Sequence, residues 1–219
     1  MNSISNGGAD RLSPAPRALS LLRSFARKRE AVERCELCAA ELAEEHQHLL
    51  EPVRRKIVCA CQACSILFSS GGETKYKRVP RRVRSLPDFA MTDAEWDGLM
   101  IPINMAFFFE SAPENRMVAL YPSPGGPIES MLAFDNWNEI VRQNPLLSEM
   151  EPDVEALLVN RIAQSRGAGA AEYFVAPIDE CYKLVGLIRG SWRGFSGGTE
   201  VWREIGKFFS DLKEKSCRT

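Results

Sequence analysis

Five of the seven cysteines in this 219-residue chain, and both of its histidines, fall between residues 35 and 64. Cys35 and Cys38 form one C-x2-C pair, Cys61 and Cys64 form a second, and twenty-two residues separate the pairs. A tight turn lets two thiolates reach one ion at about 2.3 Å, and two such turns complete a tetrahedron. The spacing is close to that of four-cysteine zinc sites. Zinc bound by Cys35, Cys38, Cys61 and Cys64 is therefore the expected cofactor. Iron in a rubredoxin-like site, or an iron–sulfur cluster, is the alternative, because four thiolates suit zinc and iron alike. Neither pair is followed by the glycine that relieves such a turn in rubredoxins, which argues for zinc.

Cys59 adds a fifth sulfur to this short segment. In a strand, His46 and His48 face one way, and Cys59 and Cys61 share a face for the same reason. Cys59 and His48 are thus possible additional ligands, and His48 in place of Cys61 would make the site Cys3His. Cys181 sits in an apolar segment and Cys217 near the C-terminus, with no histidine close in sequence to activate either thiol. The rest of the chain has no nucleophile elbow, phosphate loop or dinucleotide fingerprint, and no histidine to serve as a base, so no enzymatic activity is expected. The glycine turns SPGGP (123–127) and FSGG (195–198) read as shape rather than phosphate cradles.

The chain as a whole carries 28 basic and 29 acidic residues, a formal net charge of -1. No global field draws it to nucleic acid or an anionic membrane. The N-terminus lacks the apolar stretch of a secretory signal, and no run approaches the roughly 20 apolar residues of a membrane span. A cytoplasmic location is expected, where thiols stay reduced and paired cysteines hold metal.

Four segments must position the cysteines. Residues 1–32 read as a disordered lead-in followed by an amphipathic helix through Leu21, Leu22 and Phe25. Residues 33–70 form the Cys-rich metal module, in which HQHLLEPVRRKIVCAC predicts a β-hairpin turning at Glu51-Pro52, with a cysteine pair at each open end. So small a unit has no core of its own, and structural zinc would supply on the order of 10 kcal/mol of its folding free energy. Residues 71–90 read as a solvated basic linker carrying Lys75, Lys77, Arg78, Arg81, Arg82 and Arg84.

Residues 91–215 predict an α+β domain. Thr92 and Glu95 have capping-box spacing. IPINMAFFFES and RMVALYPSP suit a strand hairpin, and VEALLVNRIA and EYFVAPI a second pair around a mobile glycine-rich tip. Helices are expected from Asp135 to Asn144-Pro145, from Asp179, and from Ser196 or Thr199. The fold class is α+β: a small zinc-ribbon or rubredoxin-like module followed by a mostly antiparallel sheet packed by helices.

The set CELC, HQHLLE, CACQAC, LPDF, WDGLMIP, MVALYPSPGGPIES, NPLLSEMEPDVEALLVNR, APIDECYKLVGLIR and WRGFSGG resembles an uncharacterised bacterial family over residues 33–214. Its members tend to be encoded beside the subunits and maturation factors of nickel–iron uptake hydrogenases. WDGLMIPINMAFFF followed by a Pro-Gly turn is also similar to the apolar-strand region of the small hydrogenase assembly chaperones. The resemblance implies a metal-binding accessory protein for assembly or maturation of a nickel–iron hydrogenase, with a hydrogenase subunit or maturation factor as partner. The alternative is a rubredoxin-like or iron–sulfur electron-transfer protein of the same complex. The basic linker and the acidic stretch Glu149, Glu151, Asp153 and Glu155 are the expected means of gripping that partner.

Overall fold

A computed structural model describes residues 32–216 apart from 71–73, 132–133, 166 and 168. The lead-in and helix expected over 1–32 lie outside the described residues up to residue 31, as do Gly71-Gly72 and Cys217. The described residues from Arg34 onward form one compact unit.

The expected hairpin forms first. Strands β1 (Gln47–Glu51) and β2 (Lys56–Ala60) pair antiparallel, with His48 opposite Cys59 and Leu49 opposite Val58. A 3-10 turn, Pro52–Arg54, joins them, and Arg55 closes it in the left-handed region at φ 50°. Helix α1 (Gln62–Ser69) follows directly. Strand β3 (Lys77–Arg78) then lies on the other side of β1, giving a three-stranded sheet in the order β2-β1-β3.

The larger sheet has six strands in the order β4-β9-β8-β5-β6-β7, each pair antiparallel. These are β4 (Arg84–Ser85), β5 (Met105–Ser111), β6 (Arg116–Ser123), β7 (Gly126–Ser130), β8 (Glu155–Asn160) and β9 (Glu172–Pro177). The runs MAFFF and ALLV are apolar at successive positions because both faces of this sheet are covered. Phe107, Phe109, Leu158 and Phe174 face helices α5 (Ile178–Ser191) and α6 (Gly198–Ser216). Phe108, Leu157, Val159 and Val175 face α2 (Asp93–Gly98) and α3 (Phe134–Gln143). A one-turn helix, α4 (Ile162–Ser165), follows β8. The α+β class with a mostly antiparallel, helix-packed sheet is what the structure has.

Thr92 and Glu95 make both bonds of the capping box at the start of α2. Asp135 is not the residue that precedes its helix, because α3 already begins at Phe134. Helix α6 starts at Gly198, between the two expected positions, and Ser123 turns its hydroxyl onto Gly125 and Gly126 to shape the β6–β7 turn.

The basic segment differs from the expected solvated connector. It contributes β3 and β4, and it buries Val79 and Val83 in the core beneath α5 and α6. All six of its cations are held within the chain. Lys75 meets Glu51, Lys77 meets Asp153 at 2.7 Å, Arg82 meets Glu155, and Arg84 spans Glu149 and Glu155. Arg78 donates to the Gln47 side chain and Arg81 to the His46 carbonyl. Lys77, Arg82 and Arg84 thus pair with Glu149, Asp153 and Glu155, and Asp153 and Glu155, 2% and 3% exposed, are engaged inside the chain rather than open to a partner.

Arg55, at the hairpin tip, reaches Glu114 and Glu129 at the far edge of the large sheet, beside Arg116, which pairs with the same two carboxylates. Burial opposes ionisation of Glu129, but Arg116 and Arg55 outweigh it and hold the carboxyl below its usual value. Such a contribution exists above the unfolded pKa of about 4.3 and fades as the pH falls through the lower folded value. Arg55→Ala should destabilise the protein by about 1 kcal/mol at neutral pH, since these pairs are partly exposed. Thermal melts of the two proteins should start to converge as the pH falls below the unfolded carboxylate pKa of about 4.3; a difference independent of pH would assign Arg55 another role.

Candidate metal centre

The first cysteine pair is built on a knuckle. Arg34 and Glu41 form a bridge, the Cys35 N–H donates to the Ala40 carbonyl at 2.8 Å, and the Ala39 N–H donates back to the Cys35 carbonyl at 2.8 Å. Closing so tight a loop puts Ala39 in the left-handed region, at φ 61°. This is the position a glycine relieves in rubredoxins, so its absence does not prevent the turn and ceases to separate zinc from iron.

The second pair is built differently. Cys61 is the N-cap of α1 and its Sγ accepts the Cys64 N–H at 3.5 Å. Both sulfurs thus sit at the first turn of α1. The module is a knuckle, a hairpin and a helix start, rather than the zinc ribbon's two hairpin knuckles.

Glu36 brings the two halves together. Its N–H donates to the Cys59 carbonyl at 2.9 Å, its carboxylate accepts the Cys59 N–H at 3.0 Å, and Lys56 closes on the same carboxylate at 3.0 Å. Burial works against ionisation of Glu36, and the Cys59 N–H and Lys56 reverse the balance. As a result the sulfurs of Cys35, Cys38, Cys61 and Cys64 lie within 4.8 Å of one another, Cys38 and Cys61 at 3.7 Å. A tetrahedron with 2.3 Å metal–sulfur bonds has edges of about 3.8 Å. Cys35 and Cys64 are buried with Leu49 and Ala60, and Cys38 is exposed.

The electrostatics of the four sulfurs ask for a cation. Burial opposes ionisation of Cys35, but the backbone N–H groups of Cys61, Leu37 and Cys38 hold its thiol down at about 6. Burial, together with the sulfurs of Cys38, Cys61 and Cys35, pushes Cys64 up to about 12. The Ala40 backbone favours the Cys38 thiolate, yet its bonds to Cys35 and Cys61 carry that thiol upward as well. One thiolate forms readily and discourages the next, and a bound divalent ion is what lets all four ionise together. The set can hold a metal ion. Glu36→Ala should lower its affinity for zinc 10- to 100-fold while keeping all four sulfurs, as loss of an orienting partner does. Competition with a chelator measures this, and an unchanged affinity would remove Glu36 from the site.

His46, His48 and Cys59 are brought together too, but as a separate group whose ligand atoms also lie within 4.8 Å. His48 is not a member of the four-cysteine set, and Cys61 is, so Cys3His is not the arrangement seen. Cys181 is wholly buried in α5, and desolvation pushes its thiol well up, leaving it an inert packing group. Sequence reasoning missed Glu36, whose role depends on contact with Cys59, and Asp179, which accepts a bond from His48 at 2.6 Å instead of capping its helix.

The chain belongs to a family of unknown function, DUF5947, whose family model matches residues 34–216. No curated protein and no solved structure matches the chain.

Proposed function

We propose that this member of the family is a non-enzymatic, zinc-binding accessory protein that holds a partner polypeptide, and that the partner is a subunit or maturation factor of a nickel–iron hydrogenase. Helix α1 carries the reading. Its first turn supplies Cys61 and Cys64, and its remainder exposes Ile66 at 51%, Leu67 at 70% and Phe68 at 41%. Three consecutive apolar side chains held in water cost free energy unless something covers them. A metal that fixes the start of this helix fixes that surface, which gives a structural zinc a reason to sit beside an interface.

The hydrogenase setting rests on the resemblance of the quoted motifs to proteins encoded beside hydrogenase genes. Among the described residues no helix is long and apolar enough to cross a membrane. The test is a pull-down of tagged protein from cells expressing the hydrogenase, beside an Ile66→Ser/Leu67→Ser variant. We expect the wild type to retain a hydrogenase component and the variant to lose it with its metal content intact. Recovery of no hydrogenase component, together with turnover of a small substrate by the protein alone, would overturn the reading.

A further inference from the structure

We infer that His46, His48 and Cys59 form a second metal site, distinct from the four-cysteine centre, for a zinc-class divalent ion with one coordination position left open. The strand register makes the site. His48 lies opposite Cys59 across the β1–β2 hairpin, so their side chains share a face. His46 is two residues before His48 and lies on the same side, its ring 4.9 Å from that of His48 and nearly perpendicular to it.

Hydrogen bonding prepares both imidazoles for a metal. The Nδ1 of His46 is 3.0 Å from the Ala43 carbonyl, which can only accept, so Nδ1 carries the proton and Nε2 presents its lone pair. The Nδ1 of His48 is 2.6 Å from the Asp179 carboxylate, which fixes the same tautomer. Metal-binding histidines have this pattern, one ring nitrogen on the ion and the other donating to a carbonyl or carboxylate. Asp179 is itself oriented, because its other oxygen accepts the Glu180 N–H at 2.9 Å at the start of α5. The two ligand sets share no residue.

Two imidazoles and a thiolate are a donor set for a borderline ion such as zinc. Three protein ligands leave the fourth tetrahedral position to water or an incoming group, as in exchangeable and catalytic sites rather than closed structural ones. All three side chains are half-buried, and both histidines and Asp179 line an open cavity of about 300 Å³, which gives an ion a way in. The inference does not depend on the hydrogenase reading, nor on what α1 binds.

The test titrates the full chain with Zn2+ and, separately, Co2+, following metal content and the visible spectrum. The wild type should take two ions per chain, the second more readily removed by chelator. His46→Gln and Cys59→Ser should each take one, and the ion retained in the four-cysteine site shows that the module has folded. Asp179→Asn should weaken the second ion 10- to 100-fold and leave the first unchanged. An Asp179 that merely docks α5 on the hairpin would move the melting temperature equally with and without the second ion. One ion in the wild type, two ions retained by both variants, or loss of both ions in either variant would each overturn the second site.

Discussion

Cys64→Ser is expected to release the metal and to lower the melting temperature of the whole 34–216 unit by about 10 °C or more, in a single transition. Cys64, Cys35, Leu49 and Ala60 are a buried group too small to hold the module by itself. An ion worth on the order of 10 kcal/mol to a structural zinc site is what orders it. Adjacent residues of β1 face opposite ways: Leu49 enters this group while Leu50 enters the core beneath α5 and α6. Val79 enters the same core, and its N–H donates to the His48 carbonyl at 3.0 Å. Disorder in β1 therefore withdraws two apolar side chains from the large core, about 3–5 kcal/mol of burial. The linker composition alone suggests the opposite, a main domain indifferent to the module. Calorimetry with limited proteolysis decides: an unshifted main transition and a stable fragment beginning near residue 85 would show that the two parts fold separately.

Asp153→Ala is expected to cost about 2–4 kcal/mol, because it removes the buried partner of a half-buried ion pair and leaves the Ala112 N–H without its acceptor. Asp153 is 2% exposed, meets Lys77 of β3 at 2.7 Å, and accepts the Ala112 N–H at 2.9 Å. Its backbone is left-handed at φ 72°, which Asp and Asn tolerate and Ala does not. Asp153→Asn keeps the shape, the backbone preference and the bond from Ala112 while losing the charge, so it should fall between wild type and Ala. Chemical denaturation of the three proteins measures the order. Equal stability of all three would mean that the pairing of basic segment to acidic stretch contributes nothing.

Local signals predicted local structure well. The C-x2-C pairs, the hairpin about Glu51-Pro52, the Thr92–Glu95 capping box and the β5–β6 and β8–β9 pairs all rest on contacts between near neighbours in sequence. Helix α1 was missed because its N-cap is a cysteine, a residue outside the usual capping set, and because it follows the hairpin with no loop between. Strands β3 and β4 were hidden by their charges: two residues each, they read as solvent-facing until their acidic partners some seventy residues away are in view. His48 and Asp179 meet across 131 positions, and nothing local announces it. The four sulfurs were legible as a set, whereas the helix that presents two of them was not.

The most direct measurement is elemental analysis of the purified full chain beside a Cys61→Ser/Cys64→Ser variant, with optical spectra of both. The account predicts a colourless wild type containing zinc, with the tightly held ion absent from the variant. Visible absorption with iron as the main metal, or a metal content unchanged by the double substitution, would contradict it.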